Sequence, residues 1–145
     1  MTVLSAIVLV FLLLFANLQK NYAFASAITK TTVNTVAKNT NYRRAFFIDV
    51  PKRYKGSMIF RISLPEAIKW IVPQARYDTV IVASQMESPP YIMPYKTSES
   101  SWTTFAKAKN WNPLVPIVNG THDTLNKRDI LFWFTADGIC KVKIP

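Results

Sequence analysis

The chain reads as an α+β domain, mainly β: a small antiparallel-rich sheet or sandwich with one short helix and a C-terminal β-hairpin, behind an N-terminal signal or anchor segment. Three observations point there. Residues 129–145, DILFWFTADGICKVKIP, set Asp137-Gly138 between two alternating apolar runs. That is a strong hairpin signal, because a type I′ turn needs positive φ at both central residues. Upstream, short apolar runs recur between Pro, Asn, Gly and Ser, as strands do. Only PEAIKWIVPQAR, residues 65–76, pairs an N-terminal proline with a helical apolar stripe.

The first element is AIVLVFLLLFA, an unbroken apolar run of eleven residues from Ala6 to Ala16. A helix needs roughly 20 residues to cross the hydrocarbon core of a bilayer, so this length suits the apolar region of a signal peptide. Ala23-Phe24-Ala25 supplies the small-x-small pattern cut by signal peptidase, with a second register at Ala25-Ser26-Ala27. Met1 to Ser5 carry no lysine or arginine, a departure from signal-peptide chemistry that keeps a retained membrane anchor open. Three fates are therefore distinguished for residues 1–25: a cleaved signal, which is favoured, an uncleaved anchor, and a buried core helix. Localisation follows as secreted, periplasmic or envelope-associated.

Residues 26–42, SAITKTTVNTVAKNTNY, are rich in Thr and Asn and read as an extended arm or linker. The single domain is placed at 43–145. RAFFIDV (44–50) reads as a strand, and MIFRISL (58–64) alternates cleanly between two faces, with PKRYKGS as a charged turn between them. In the helix, Pro65 suits a first position and Glu66 the positive end of the dipole, while Pro73 ends or bends it near Val72. DTVIVAS (78–84) is the next strand, reached by a connection barely long enough for a parallel crossover. Residues 85–101 hold Pro89, Pro90 and Pro94 and read as loop; WTTFAKA and PLVPIV read as short strands, the second demoted to an edge by its prolines.

Composition narrows function more than it names it. The net charge of +10 falls only to +9 if residues 1–25 are removed, so the domain favours anionic partners such as acidic lipid, acidic polysaccharide or an acidic protein. Export makes nucleic acid an unlikely encounter. A hydrophobic fraction of 50% and an aromatic fraction of 13% mark a packed domain, not a disordered tail. The only cysteine, Cys140, excludes an internal disulfide and reads as a small buried hydrophobe or the source of an intermolecular bridge.

Two groups are candidate binding residues. Arg43, Arg44, Lys52, Arg53 and Lys55 put five bases in thirteen residues, opposed locally by Asp49 alone. They form either a solvated face or one electropositive rim. In the terminal hairpin, a turn centred on Asp137-Gly138 pairs Phe134 with Lys141 and Phe132 with Lys143. Two aromatics under two cations would accept an anion beside an apolar group; alternatively the lysine stems simply cover the rings. The other face collects Leu131, Trp133, Cys140, Val142 and Ile144 as core. A third candidate is the proline-rich MESPPYIMPY (86–95), a polyproline segment able to dock on a partner or on its own sheet edge.

Catalytic chemistry finds little footing. His122 is the sole histidine, beside Asp123, and there is no Gly-x-Ser-x-Gly elbow. Three glycines make no phosphate-cradling loop, and one histidine with one cysteine cannot build a structural zinc site. No cofactor is expected. Asn119-Gly120-Thr121 matches the N-glycosylation pattern. The reading is an exported non-catalytic binding or structural module with a basic surface. The alternatives are a small secreted hydrolase using His122 and Asp123, and a cationic membrane-active toxin.

Overall fold

A computed structural model describes residues 2–60, 63–75, 77–87, 95–110, 117–118, 121–122 and 125–145. Its first element runs across the expected division at residue 25. Helix α1 runs without a break from Thr2 to Ala37, 36 residues in all. Residues 26–42 are thus not an extended arm: the segment stays helical to Ala37. Thr and Asn are weak helix formers, but propensity yields to packing when an apolar stripe can be buried. Phe24, Ala25, Ile28, Thr32, Thr35 and Val36 supply that stripe and are buried. The threonine hydroxyls bond inside the helix, Thr32 Oγ1 donating to the Ile28 carbonyl at 2.9 Å and Thr35 Oγ1 to that of Thr31 at 2.8 Å. Donation to the carbonyl one turn back lets a hydroxyl be buried without an orphaned donor.

The remaining elements follow in order: β1 (Arg44–Ile48), β2 (Val50–Pro51), β3 (Arg53–Tyr54), β4 (Ser57–Met58), α2 (Leu64–Ile71), β5 (Thr79–Val82), β6 (Gln85–Met86), β7 (Lys96–Ser101), α3 (Trp102–Lys109), β8 (Ile117–Val118), β9 (Thr121–His122), β10 (Asp129–Thr135) and β11 (Gly138–Lys143). Five strands form one sheet in the order β5-β1-β10-β11-β7. β1 is parallel to both β5 and β10, β11 is parallel to β7, and the terminal hairpin β10–β11 is antiparallel. The sheet is mixed and neither antiparallel-rich nor a sandwich. With a 36-residue helix and two shorter ones, the fold is α+β without being mainly β.

Local differences from the expected elements have local causes. WTTFAKA is helical, as α3: the Ser101 side chain caps it by accepting from Thr104 N at 3.1 Å, and Asn110 closes it in the left-handed region at φ 51°. Trp102 and Phe105, three apart, then share its buried face. Lys96–Ser101, read as loop, is strand β7. Among the described residues, MIFRISL contributes only Met58 to a strand, as the end of β4, and Leu64 to α2; Arg61 and Ile62 lie outside the described residues, as do 88–94 of the proline-rich loop and 111–116, which take in most of PLVPIV. The helix of 65–76 is α2, ended at Ile71 ahead of Pro73. It serves the crossover from β1 to its parallel neighbour β5.

The hairpin turn sits one residue earlier than Asp137-Gly138. Observed partners are Thr135 with Gly138, Phe134 with Ile139, Trp133 with Cys140, Phe132 with Lys141 and Leu131 with Val142. Gly138 is needed for another reason: a Cβ there would lie 1.8 Å from the Lys96 carbonyl oxygen of β7, and its φ is +150°.

Helices cover both faces of the sheet. On one side the second half of α1, with Leu64 and Ile68 of α2, packs on Ala45, Phe47, Phe132, Phe134 and Ile139. On the other, Trp102 and Phe105 of α3 pack on Phe46, Ile48, Leu131 and Val142.

Candidate functional site

The exposed half of α1 is the most distinctive surface. Its apolar side chains from Val3 to Phe15 face outward, with Phe11 69% exposed, and none packs into the core. The helix is long and apolar enough to cross a membrane. Burial starts abruptly at Phe24, where the same helix joins the domain core. An N-terminal apolar helix of this kind fits a signal or anchor segment.

The five-base cluster does not form one rim. Arg43 Nε meets Asp78 Oδ2 at 2.7 Å on the surface. Arg44 forks onto Asp129, Nε to Oδ1 at 3.0 Å and Nη2 to Oδ2 at 2.7 Å, with the carboxylate fully buried. Lys52 Nζ meets Glu87 Oε1 at 2.6 Å. The close Lys52 ammonium holds the Glu87 carboxyl below its ordinary range, Arg53 adding to the effect. Arg53 and Lys55 remain on the exposed β3–β4 hairpin, where Lys55 Nζ lies 5.6 Å from the Tyr54 ring centre. Asp49, the only acid near these bases in sequence, goes elsewhere. Held at φ 56°, it accepts from Trp133 Nε1 at 3.1 Å, Ser84 Oγ at 2.9 Å and Lys109 Nζ at 2.5 Å, tying β1, β10 and α3 together.

The hairpin expectation is corrected for its two aromatics. Phe132 and Phe134 are buried, at 0% and 1% exposure, because α1 lies over the face predicted to be open. Phe132 stacks on Phe47 at 5.0 Å. Lys141 sits over Tyr42 at 5.4 Å, and Lys143 pairs with Glu99 at 2.8 Å. That bond and the charge of its partner raise the Lys143 pKa and lower that of Glu99. The opposite face is apolar as expected, with Leu131, Cys140 and Val142 buried and Trp133 half-buried. Cys140 is a buried free thiol.

His122 ends β9 and pairs with Ile117 of β8; its side chain, Asp123 and the Asn119-Gly120 pair lie outside the described residues. Among the described residues no group of three or more His, Cys, Asp or Glu could hold a metal ion. A polar groove of about 640 Å³ runs between α1 and β7, lined by Thr35, Asn39, Thr97 and Lys141 among others, and Thr35 bonds Thr97 across it at 2.9 Å.

Sequence reasoning missed that Phe24 and Ile28 are core residues. The signal was present: positions 24, 28, 32 and 35–36 continue a helical period straight through the proposed cleavage sites. No family model, curated protein or solved structure matches this chain.

Proposed function

We propose that this protein is a membrane-tethered, non-catalytic module: α1 is retained as an anchor and holds a basic α+β domain at the bilayer, where it contacts an anionic partner. One observation carries the reading. The helix that leaves the apolar segment is the helix that completes the core. Ala25, at the expected cleavage point, is 2% exposed in the middle of α1. Cutting there would also strip Phe24 from its packing against Tyr54, ring centres 4.2 Å apart. Of the expected locations, association with a membrane envelope follows from a retained helix, and release as a soluble secreted or periplasmic protein follows only from cleavage.

Intact mass of the protein purified from membranes tests this. A mass beginning at the N-terminal methionine supports the anchor; a start at Ser26 or Ile28 overturns it.

A second reading concerns orientation. Lys20, Lys30, Lys38, Arg43 and Arg44 follow the apolar stretch before the first acid of the chain, Asp49. Short flanks rich in lysine and arginine are held on the cytoplasmic side, so this pattern favours a domain facing the cytoplasm. Lys38→Cys in a Cys140→Ser background, treated with a membrane-impermeant maleimide, discriminates: labelling in inverted vesicles and not in right-side-out vesicles supports it.

A further inference from the structure

Two contacts fix how the β3–β4 hairpin lies against α1. Tyr54, next to the turn, packs its ring on Phe24. Ile59, just past the base of the hairpin, presents its carbonyl to Thr29 Oγ1 at 2.5 Å. The turn is therefore level with residue 24 and the base with residue 29. The hairpin runs back along the helix, and its tip, Lys55-Gly56, points toward the exposed apolar half.

The apolar half sets the level of the bilayer. Val3 to Tyr22 rise about 30 Å as a helix, the thickness of a hydrocarbon core, with the polar Asn17, Gln19, Lys20 and Asn21 gathered at the end next to the domain, where long side chains reach the headgroups. Phe24 then stands about 3 Å beyond the hydrocarbon edge, within the headgroup layer. Lys20, one turn earlier and exposed, can extend its ammonium along the helix to the same layer. At that level the hairpin carries Arg53 and Lys55, both exposed, and Met58, an apolar side chain 54% exposed. Glu87 is the described acid beside them, and it takes Lys52. Charge and an exposed apolar group thus coincide at the membrane-proximal end of the domain.

We propose that the tip of the β3–β4 hairpin, through Arg53 and Lys55 with Met58 beside them, docks on the anionic phospholipid headgroups of the leaflet from which α1 emerges. The interaction rests on the anchor reading and adds to it a second point of attachment. One helix alone leaves the domain free to tilt and spin; a basic hairpin seated on phosphates fixes its rotation and presents the opposite end of the domain outward. Each lysine or arginine near an anionic surface shifts the docked-to-undocked ratio by about fivefold, so the pair contributes about 25-fold, diminished by salt.

The test uses the full chain, reconstituted in vesicles of phosphatidylcholine alone or of phosphatidylcholine with phosphatidylserine. In a Cys140→Ser background, Met58→Cys or Lys38→Cys carries an environment-sensitive fluorophore, and headgroup-spin-labelled lipid serves as quencher. Lys38 lies 14 residues past Phe24, about 21 Å further along the helix. Strong quenching at position 58 in phosphatidylserine vesicles, weak quenching there in phosphatidylcholine or high salt, and none at position 38 is the expected result. Arg53→Gln with Lys55→Gln, exposed changes that leave the fold intact, should abolish the response to phosphatidylserine. Equal quenching in both vesicle types, equal quenching at 58 and 38, or an unchanged response in the double variant overturns the proposal. Alkaline carbonate extraction separates the two readings: release of the protein from the membrane defeats the anchor and the docking together, whereas a retained protein with an unquenched position 58 defeats the docking alone.

Discussion

Arg44 and Asp129 face each other across the first register position of the parallel pair β1–β10, joined by two side-chain bonds of 3.0 and 2.7 Å. Asp129 also accepts from Asn126 N at 2.9 Å, so its buried carboxylate organises the turn that starts β10. Removing one partner of a buried pair leaves the other charge uncompensated, at a cost of about 3–5 kcal/mol. Asp129→Ala should show that loss in chemical denaturation of the full chain in detergent, followed by tryptophan fluorescence. Arg43→Ala, which breaks the exposed pair with Asp78, should cost less than about 1 kcal/mol.

Gly138 is where β11 comes closest to β7. Any side chain there meets the Lys96 backbone, so Gly138→Ala should cost about 2–4 kcal/mol and free β7 from the sheet. Hydrogen exchange at residues 96–101 is the direct readout, with protection expected to fall. Gly56→Ala is the control: a Cβ there has open space, so only its φ of +86° is strained, about 1 kcal/mol.

The two halves of α1 should respond oppositely to truncation. Phe24→Ala removes a buried ring and should destabilise the domain by about 3–5 kcal/mol. Phe11→Ala, on the exposed half, should leave domain stability in detergent within about 0.5 kcal/mol. Equal effects at the two positions would show that the helix does not divide at Phe24.

Tyr77 donates its hydroxyl to the Asn39 carbonyl, and burial, reinforced by Tyr42, pushes its pKa far above the ordinary 10.0. A raised acid means the folded state holds the proton more tightly. The resulting stability is complete below pH 10.0 and declines as pH rises above it, so alkaline unfolding should begin there. Tyr77→Phe should flatten that alkaline slope in a pH series of melting temperatures. Glu87 and Glu99 act in the opposite sense: their lowered pKa values give stability above pH 4.5 that is lost on acidification, a small effect for exposed pairs.

Much of the sheet was readable along the chain. RAFFIDV, DTVIVAS and the terminal hairpin are strands because alternating or continuous apolar runs bounded by turn residues have few other ways to be buried. The candidate site was far less readable. Arg44 looked like a free base because its partner Asp129 is 85 residues away, and Lys52 because Glu87 is 35 away. A linear reading sees only local charge, and the local acid, Asp49, turned out to serve Lys109 instead.

What the sequence by itself determined is the apolar N-terminal run, the strong positive charge, the absence of an internal disulfide, and strands with two distinct faces. Period and composition are local properties, and they survive whatever the rest of the chain does. Only the tertiary structure decided where α1 ends and that helices close both faces of the sheet. A Thr-rich segment of weak helix propensity stays helical when Ile28 and Val36 can bury against Phe47 and Phe132, and that same burial closes the face on which Phe132 and Phe134 had looked available for binding.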